Sequence, residues 1–432
     1  MMQWPQLLTP QRLGKSQPED LNLARTPFQR DFDRLIFSAA FRRLKDKTQV
    51  FSLSQNDYVR TRLIHSLEVA SVGRSLGRIV GEQIVNEHRL TITATDIGDI
   101  VAAACIAHDI GNPPFGHSGE DAIRSGFESW QQQHPALDLT TAQRLDLEQF
   151  EGNAQGLRVI CRLEIPHRPG SLQLTCPTIA AFTKYPRASD VPAGVGRSTR
   201  KYGFFQADQQ LFTEVATAVG LMPGTTGVSW CRHPLTFLVE AADDICYSIV
   251  DIEDGYQMGF LTFVEVVALL NPIAQLDLTK SDGAEPELVT HLRAKSIDIL
   301  VREAARNFLA QEQQILTAKF DQELLSLSAY HEVLQAIHDK ARRAIFQQPQ
   351  VVGVQIAGYE VLAKLFTEFA NALMHPHNSK SQLVLQMMSV AHRPNPEDDI
   401  YQQLLRVTDF ISGMTDSYAT RLFQQFSGIS LL

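Results

Sequence analysis

The sequence is poor in cysteine. Cys105, Cys161, Cys176, Cys231 and Cys246 are its five thiols, odd in number and without a CxxC pair. That pattern argues against a disulfide framework or a thiolate zinc site, and it fits a reducing cytoplasm. Long apolar runs are missing too. The longest, Ile100 to Ala107, falls well short of the about 20 residues that a bilayer span needs. The opening MMQWPQLLTPQRLGKSQPED has no signal-type apolar core, so neither a membrane nor a secreted protein is expected. There is no surplus of positive charge: 39 basic against 48 acidic side chains give −9. Global charge therefore does not recruit nucleic acid, and an anionic ligand must be held by a local basic patch. Internal repeats and low-complexity tracts are absent. A chain of 432 residues can bury a large core without a covalent or metal staple.

What is present is helical periodicity. Leu334, Ile337, Ala341 and Ile345 recur at steps of three and four. So do Tyr359, Leu362, Phe366, Phe369 and Leu373, and again Leu404, Val407 and Ile411. Each set is one apolar helix stripe, and core packing explains it. The spacing predicts a mostly α fold. Residues 50–53 and 172–175 are the best short-strand candidates. Residues 184–203 are rich in Pro, Gly and Ser and carry Lys184, Arg187, Arg197, Arg200 and Lys201 against Asp190 alone. They read as a solvated loop or as a flap over an anionic ligand. His375–Ser379 ends a strong helix and reads as a surface loop.

Chemistry gathers at a few histidines and acids. His108-Asp109 follows the apolar run IVAAACIA and precedes IGNPP, a helix C-terminus signal. The pair is thus expected in the last turn of a buried helix, where an unpartnered carboxylate is costly. Histidine beside carboxylate suits a divalent metal, although a lone His-Asp dipeptide is weak evidence. His65 lies in YVRTRLIHSLEVASVGRSLGR, where Leu63, Leu67, Ala70 and Leu76 describe a helix facing a core. Farther along, Asp243, Tyr247 and Asp251 fall at i, i+4 and i+8 and share one helix face.

With these residues in this order, the chain resembles the HD-domain metal-dependent phosphohydrolases, and more narrowly the bacterial dGTPase and dGTPase-like deoxynucleoside triphosphate triphosphohydrolases. The resemblance rests on ARTPFQRDFDRLIFSAAFRRLKDKTQVF, VRTRLIHSLEV, AHDIGNPPFGHSGEDAI, FEGNAQGLRV, LTCPTIAAFTKYP, EAADDICYSIVDIEDG and ISGMTDSYA, in order along nearly the whole chain. It implies an HD-domain helical fold with additional C-terminal helices. Residues 1–49 would then form an N-terminal segment reaching the active site and subunit contacts, 50–260 the phosphohydrolase core, and 261–432 a helical C-terminal region.

The same resemblance implies that His65, His108, Asp109 and Asp243 hold a divalent cation, Mg or Mn first, with Fe, Co, Ni and Zn also allowed. It implies that His117, with Glu120, is catalytic; a second metal held through His117 is the alternative. Arg62, Lys201 and Tyr202 would contact phosphates. Gln49 would lie near sugar and base, Tyr247 would pack on the sugar, and Asp251 would accept from the 3′-hydroxyl. Arg42 and Arg43 are open between ligand contacts and salt bridges. The implied reaction is dNTP + H2O → deoxynucleoside + inorganic triphosphate in the cytoplasm, by a homo-oligomer, a hexamer on the resemblance, with single-stranded DNA or a dNTP as possible effector. Two rival readings are another HD-type nucleotide phosphohydrolase and a DNA- or nucleotide-responsive regulator with secondary hydrolase activity.

Overall fold

The computed structural model describes residues 1–21, 24–49, 60–194, 196–278 and 283–430. The expected mostly α fold is what they form. No strand ladder occurs among the described residues, only isolated bridges such as Arg12 with Thr175 and Thr48 with Thr61. The strand expected at 172–175 is therefore reduced to the Thr175 bridge. Its backbone is spent on the chain's N-terminal stretch, as Leu13 N–H donates to Leu174 O. The other strand candidate, 50–53, lies outside the described residues.

Helix α1 (Pro27–Ile36) starts at the Thr26 cap, whose hydroxyl accepts from Gln29 N–H, with Pro27 in the first turn. Helix α2 (Arg62–His88) and helix α3 (Ala94–Ala107) form the tightest pair in the molecule. Their closeness comes from glycine. A Cβ on Gly77 would lie 2.8 Å from Gly98 Cα, and one on Gly73 would lie 2.5 Å from Cys105 Sγ. The buried face of α2 is thus Ser66, Val69, Ala70, Gly73, Leu76, Gly77 and Val80. Of the stripe read from sequence, Ala70 and Leu76 lie on this face, whereas Leu67 is 41% exposed. The glycine groove, not the bulkiest residues, sets which side faces inward. Helix α3 begins in a capping box, Thr93 with Asp96, and is buried on nearly every side.

Helix α4 (His117–Gln132) follows a tight Pro-Pro-Phe-Gly turn. Helix α5 (Thr236–Gln257) packs on α2, on α3 and on α6 (Glu285–Leu316). Beyond them come α7 (His331–Ala341), α8 (Pro349–Met374), α9 (Ile400–Ser412) and α10 (Asp416–Phe426). The three apolar stripes read from sequence lie in these elements except Ile345, which is in the π turn Arg342–Phe346 after α7; Tyr359 is 40% exposed and not core, and His375 follows the end of α8.

Two apolar clusters result. One joins α1, α2, α3, α5 and α6. The other joins α4 to α8, α9 and α10 through Phe127, Phe366, Phe369, Leu404 and Leu422. Among the described residues no helix is long and apolar enough to cross a membrane.

Candidate active site

His65 sits in the first turn of α2, and His108 caps α3 at its C-terminal end. Their rings meet edge to face with centroids 5.2 Å apart. Donor atoms of His65, His108 and Asp109 all lie within 4.8 Å of one another. Asp243, on α5, points into the same group: its Oδ1 is 3.1 Å from His65 Nε2 and 3.6 Å from His108 Nε2. His108 Nδ1 lies 2.6 Å from Cys105 O. Donation to that carbonyl fixes the tautomer and leaves Nε2 as the lone-pair donor, the arrangement that metal-binding histidines favour.

Burial and charge contend here. Burial alone would push the His65 imidazole down, but the Asp243 hydrogen bond and charge outweigh it and hold it up. Burial would raise the Asp109 carboxyl, yet Arg62, His108 and His65 bring it below the usual range. Asp243 is likewise held below the usual range, against burial, by His108 and His65. Asp109 Oδ1 accepts from Arg62 Nη1 at 2.8 Å and from Asn112. Asp109 Oδ2 is buried and has no hydrogen-bond partner among the described residues. A buried carboxylate oxygen without a partner is costly. Two neutral imidazoles and two carboxylates around it could hold one divalent cation, and that donor set fits such an ion.

Beyond Asp109 the chain makes the turn that delivers His117. Phe115 and Gly116 both have positive φ, 62° and 61°. Gly116, at φ 61° and ψ −130°, has a backbone that favours glycine, and a Cβ there would also displace the Arg62 guanidinium end 2.6 Å away. His117 opens α4 with its side chain 82% exposed, and its Nδ1 is 2.8 Å from Glu120 Oε2. Glu120 is buried, and its Oε1 accepts from Gly152 N–H at 2.7 Å. Burial opposes ionisation of Glu120, but the His117 hydrogen bond and the Lys201 charge pull it down to about 2. The imidazole is thus oriented by a fixed carboxylate while its other nitrogen is free toward solvent. Lys201 Nζ stands 3.8 Å from Glu120 and 3.1 Å from Glu151.

The remaining expected residues divide. Tyr247 is half-exposed, one face of its ring stacked on Phe346 at 5.8 Å and 21°. Asp251, one turn further on, is buried with Oδ2 unpartnered among the described residues. Burial, then the neighbouring Asp254 charge, pushes its carboxyl up to about 8. Gln49 is half-buried, with Oε1 likewise unpartnered among the described residues. Tyr202 is placed differently from its neighbour Lys201. Its ring packs by Phe205, and its hydroxyl donates to Asp146 O at 2.8 Å. Arg43 lies 3.6 Å from Glu164, a salt bridge.

The basic loop is not the solvated strip its composition suggests. Arg187 is buried and donates to Lys201 O at 2.7 Å, while Lys184 and Arg197 converge with Arg232 on buried Glu240. Lys184, Arg197 and Lys201 are paired with acids elsewhere in the chain and Arg187 with backbone carbonyls, which composition alone cannot show.

Sequence reading overlooked several participants. Glu151 lies inside a motif segment, yet only the fold brings it to Lys201. Phe346 and His338, which flank Tyr247, come from beyond residue 330, where the sequence offers only helix stripes. Lys47 and Asp416 also lie inside motif segments, but their burial and their partners appear only in the fold.

Known families match along this chain. Residues 62–175 match the HD domain, and residues 327–425 match a phosphohydrolase-associated domain. The chain is 52% identical over its whole length, and over the whole of the relative, to a deoxyguanosinetriphosphate triphosphohydrolase-like protein of Synechocystis. It is 41% identical to a like-named protein of Pseudomonas aeruginosa, covering 99% of each. To a deoxyguanosinetriphosphate triphosphohydrolase of Yersinia pestis it is 29% identical, over 91% of this chain and 92% of that one.

Proposed function

The chain belongs to the HD-domain, deoxyguanosinetriphosphate triphosphohydrolase-like family, and from that premise we propose that it hydrolyses deoxynucleoside triphosphates to deoxynucleoside and inorganic triphosphate. The observation that carries the reading is the buried, unpartnered Asp109 Oδ2 beside His65, His108 and Asp243. These four residues would hold a divalent cation. Such an ion supplies Lewis acidity at a phosphoryl oxygen and makes bound water more acidic.

The chain's own residues have distinct tasks. Arg62 reaches the same phosphoryl group from the first turn of α2, and its charge offsets what develops there. Lys201 leaves its carboxylates to meet the polyphosphate tail, and Gln49 offers an amide to sugar or base. Water adds at the α-phosphorus, the bond to O5′ breaks, and triphosphate departs intact. O5′ then needs a proton, and His117, kept in place by Glu120, gives it or prepares the water. Tyr247 lies against C2′, and Asp251 accepts from the 3′-hydroxyl. Tyr202 supports Lys201 from the core behind it.

Purified protein with Mg2+ or Mn2+ and each dNTP, alone and in pairs, tests the reading. Triphosphate is the expected product. Release of orthophosphate or pyrophosphate in its place would overturn it, and activity only in mixtures would reveal a nucleotide effector.

A further inference from the structure

Asp416 begins α10, where an acid ordinarily serves its own helix. Here that place is taken, since Thr415 Oγ1 accepts from Tyr418 N–H. Asp416 is 1% exposed, and its side chain accepts from two segments remote in sequence. Oδ1 accepts from Phe115 N–H at 3.0 Å. Oδ2 accepts from Thr48 N–H at 3.1 Å and from the Thr48 hydroxyl. Lys47, also buried, adds a second tie between the same segments: its Nζ donates to Asn112 O at 2.6 Å and to Ser412 O at 2.7 Å. Phe115 is held at φ 62°, a conformation that a bulky residue seldom adopts unless its surroundings impose it. Its ring closes against Gly358 of α8, where a Cβ would lie 2.6 Å from Phe115 Cγ. The strained turn is thus gripped by its amide and by its ring, both from helices far along the chain, two residues before His117.

We propose that Asp416 is a positioning residue, which fixes the Phe115-Gly116 turn and through it the place of His117. Its bonds to Phe115 and Thr48 act on the turn and not on His65, His108, Asp109 or Asp243, so its loss should leave metal content intact. The kinetic part of the test rests on the function proposed above; the structural part does not.

The test uses the full chain with Asp416→Ala and, acting on the same turn from the other side, Gly358→Ala. Hydrogen exchange followed by mass spectrometry should show protection across 113–120, carried by the amides of 115–120 after the two prolines, falling by more than about tenfold. In dNTP hydrolysis kcat should fall by about 10- to 100-fold, with KM within about threefold and bound metal unchanged. In a His117→Ala background, Asp416→Ala should remove almost nothing further, because the residue it positions is gone. Unchanged exchange at 113–120 overturns the proposal. So does a kcat loss repeated in full in the His117→Ala background, which would mean a general structural role. If Asp416→Ala does not fold, Gly358→Ala decides by the same criteria. A chain that hydrolyses no dNTP at all would overturn the functional reading, while exchange still decides the positioning.

Discussion

Asp109 has one carboxylate oxygen engaged twice and the other engaged by nothing among the described residues. Asp109→Ala should therefore abolish bound metal and hydrolysis together, as read by metal analysis of the folded variant. Full metal content in that variant would remove Asp109 from the ligand set. His117 makes the opposite prediction. Its exposed imidazole leans on Glu120 rather than on the cation cluster, so His117→Ala should keep its metal and lose about 10²–10⁴-fold in single-turnover rate. Loss of metal stoichiometry along with rate would instead assign it to a second ion. Tyr247 is backed by Phe346, so Phe346→Ala as well as Tyr247→Ala should weaken discrimination of dGTP against GTP. An unchanged ratio in both would show that this ring is not the sugar wall. At this scale the sequence was most legible where two residues adjoin or recur at helix spacing: His108-Asp109, and Asp243-Tyr247-Asp251. It did not show Phe346 beside Tyr247, Glu151 beside Lys201 or Asp416 beside Phe115, although the latter two acids lie in motif segments, because a contact between residues far apart in sequence leaves no periodic trace. For Tyr202 the side chain's direction, into the core, could not be read from its position beside Lys201.

At the scale of elements, α2 and α3 carry the two histidines, and their spacing is governed by residues without side chains. Leucine is a far better helix former than glycine, by about 0.8–1 kcal/mol. Propensity alone would therefore have Gly77→Leu stabilise the chain. The structure predicts the reverse: the added side chain meets the Gly98 backbone, and overpacking costs about 1–3 kcal/mol or more. A lowered Tm, together with weaker metal binding as the histidines move apart, is the expected outcome; a raised Tm would contradict this packing. The glycines also explain why Leu67, unlike Ala70 and Leu76, was misplaced when the α2 stripe was read from sequence. Apolar periodicity finds a surface that side chains cover, and here part of the buried surface is backbone. Helix ends were easier, since Gly and Pro after an apolar run have few other readings, as at His108 and His375.

Over the whole molecule, the cation cluster belongs to helices of one apolar core, whereas α4, with His117 and Glu120, belongs to the other. Lys47 lies at their seam. Burial, with Arg43 adding to it, pushes its ammonium from 10.5 down to about 7. Between those values the unfolded chain binds a proton that the folded chain does not, so this group makes stability rise with pH from about 7 toward 10.5. Chemical denaturation at several pH values should show that rise in the unsubstituted chain and a flatter profile in Lys47→Met. Equal slopes in the two would exclude Lys47 as the source. The 301 residues between Phe115 and Asp416 also set a timetable. At about 5–20 residues per second, synthesis needs roughly 15–60 s to pass from one to the other. For the part of that interval after Asp243, the last 173 residues, a ribosome-bound chain has all the candidate cation ligands before it has the clasp on the histidine turn. A nascent chain would then be able to collect metal before it could turn over a nucleotide, so the enzyme would be born loaded but idle, and the helix that Asp416 opens would switch it on.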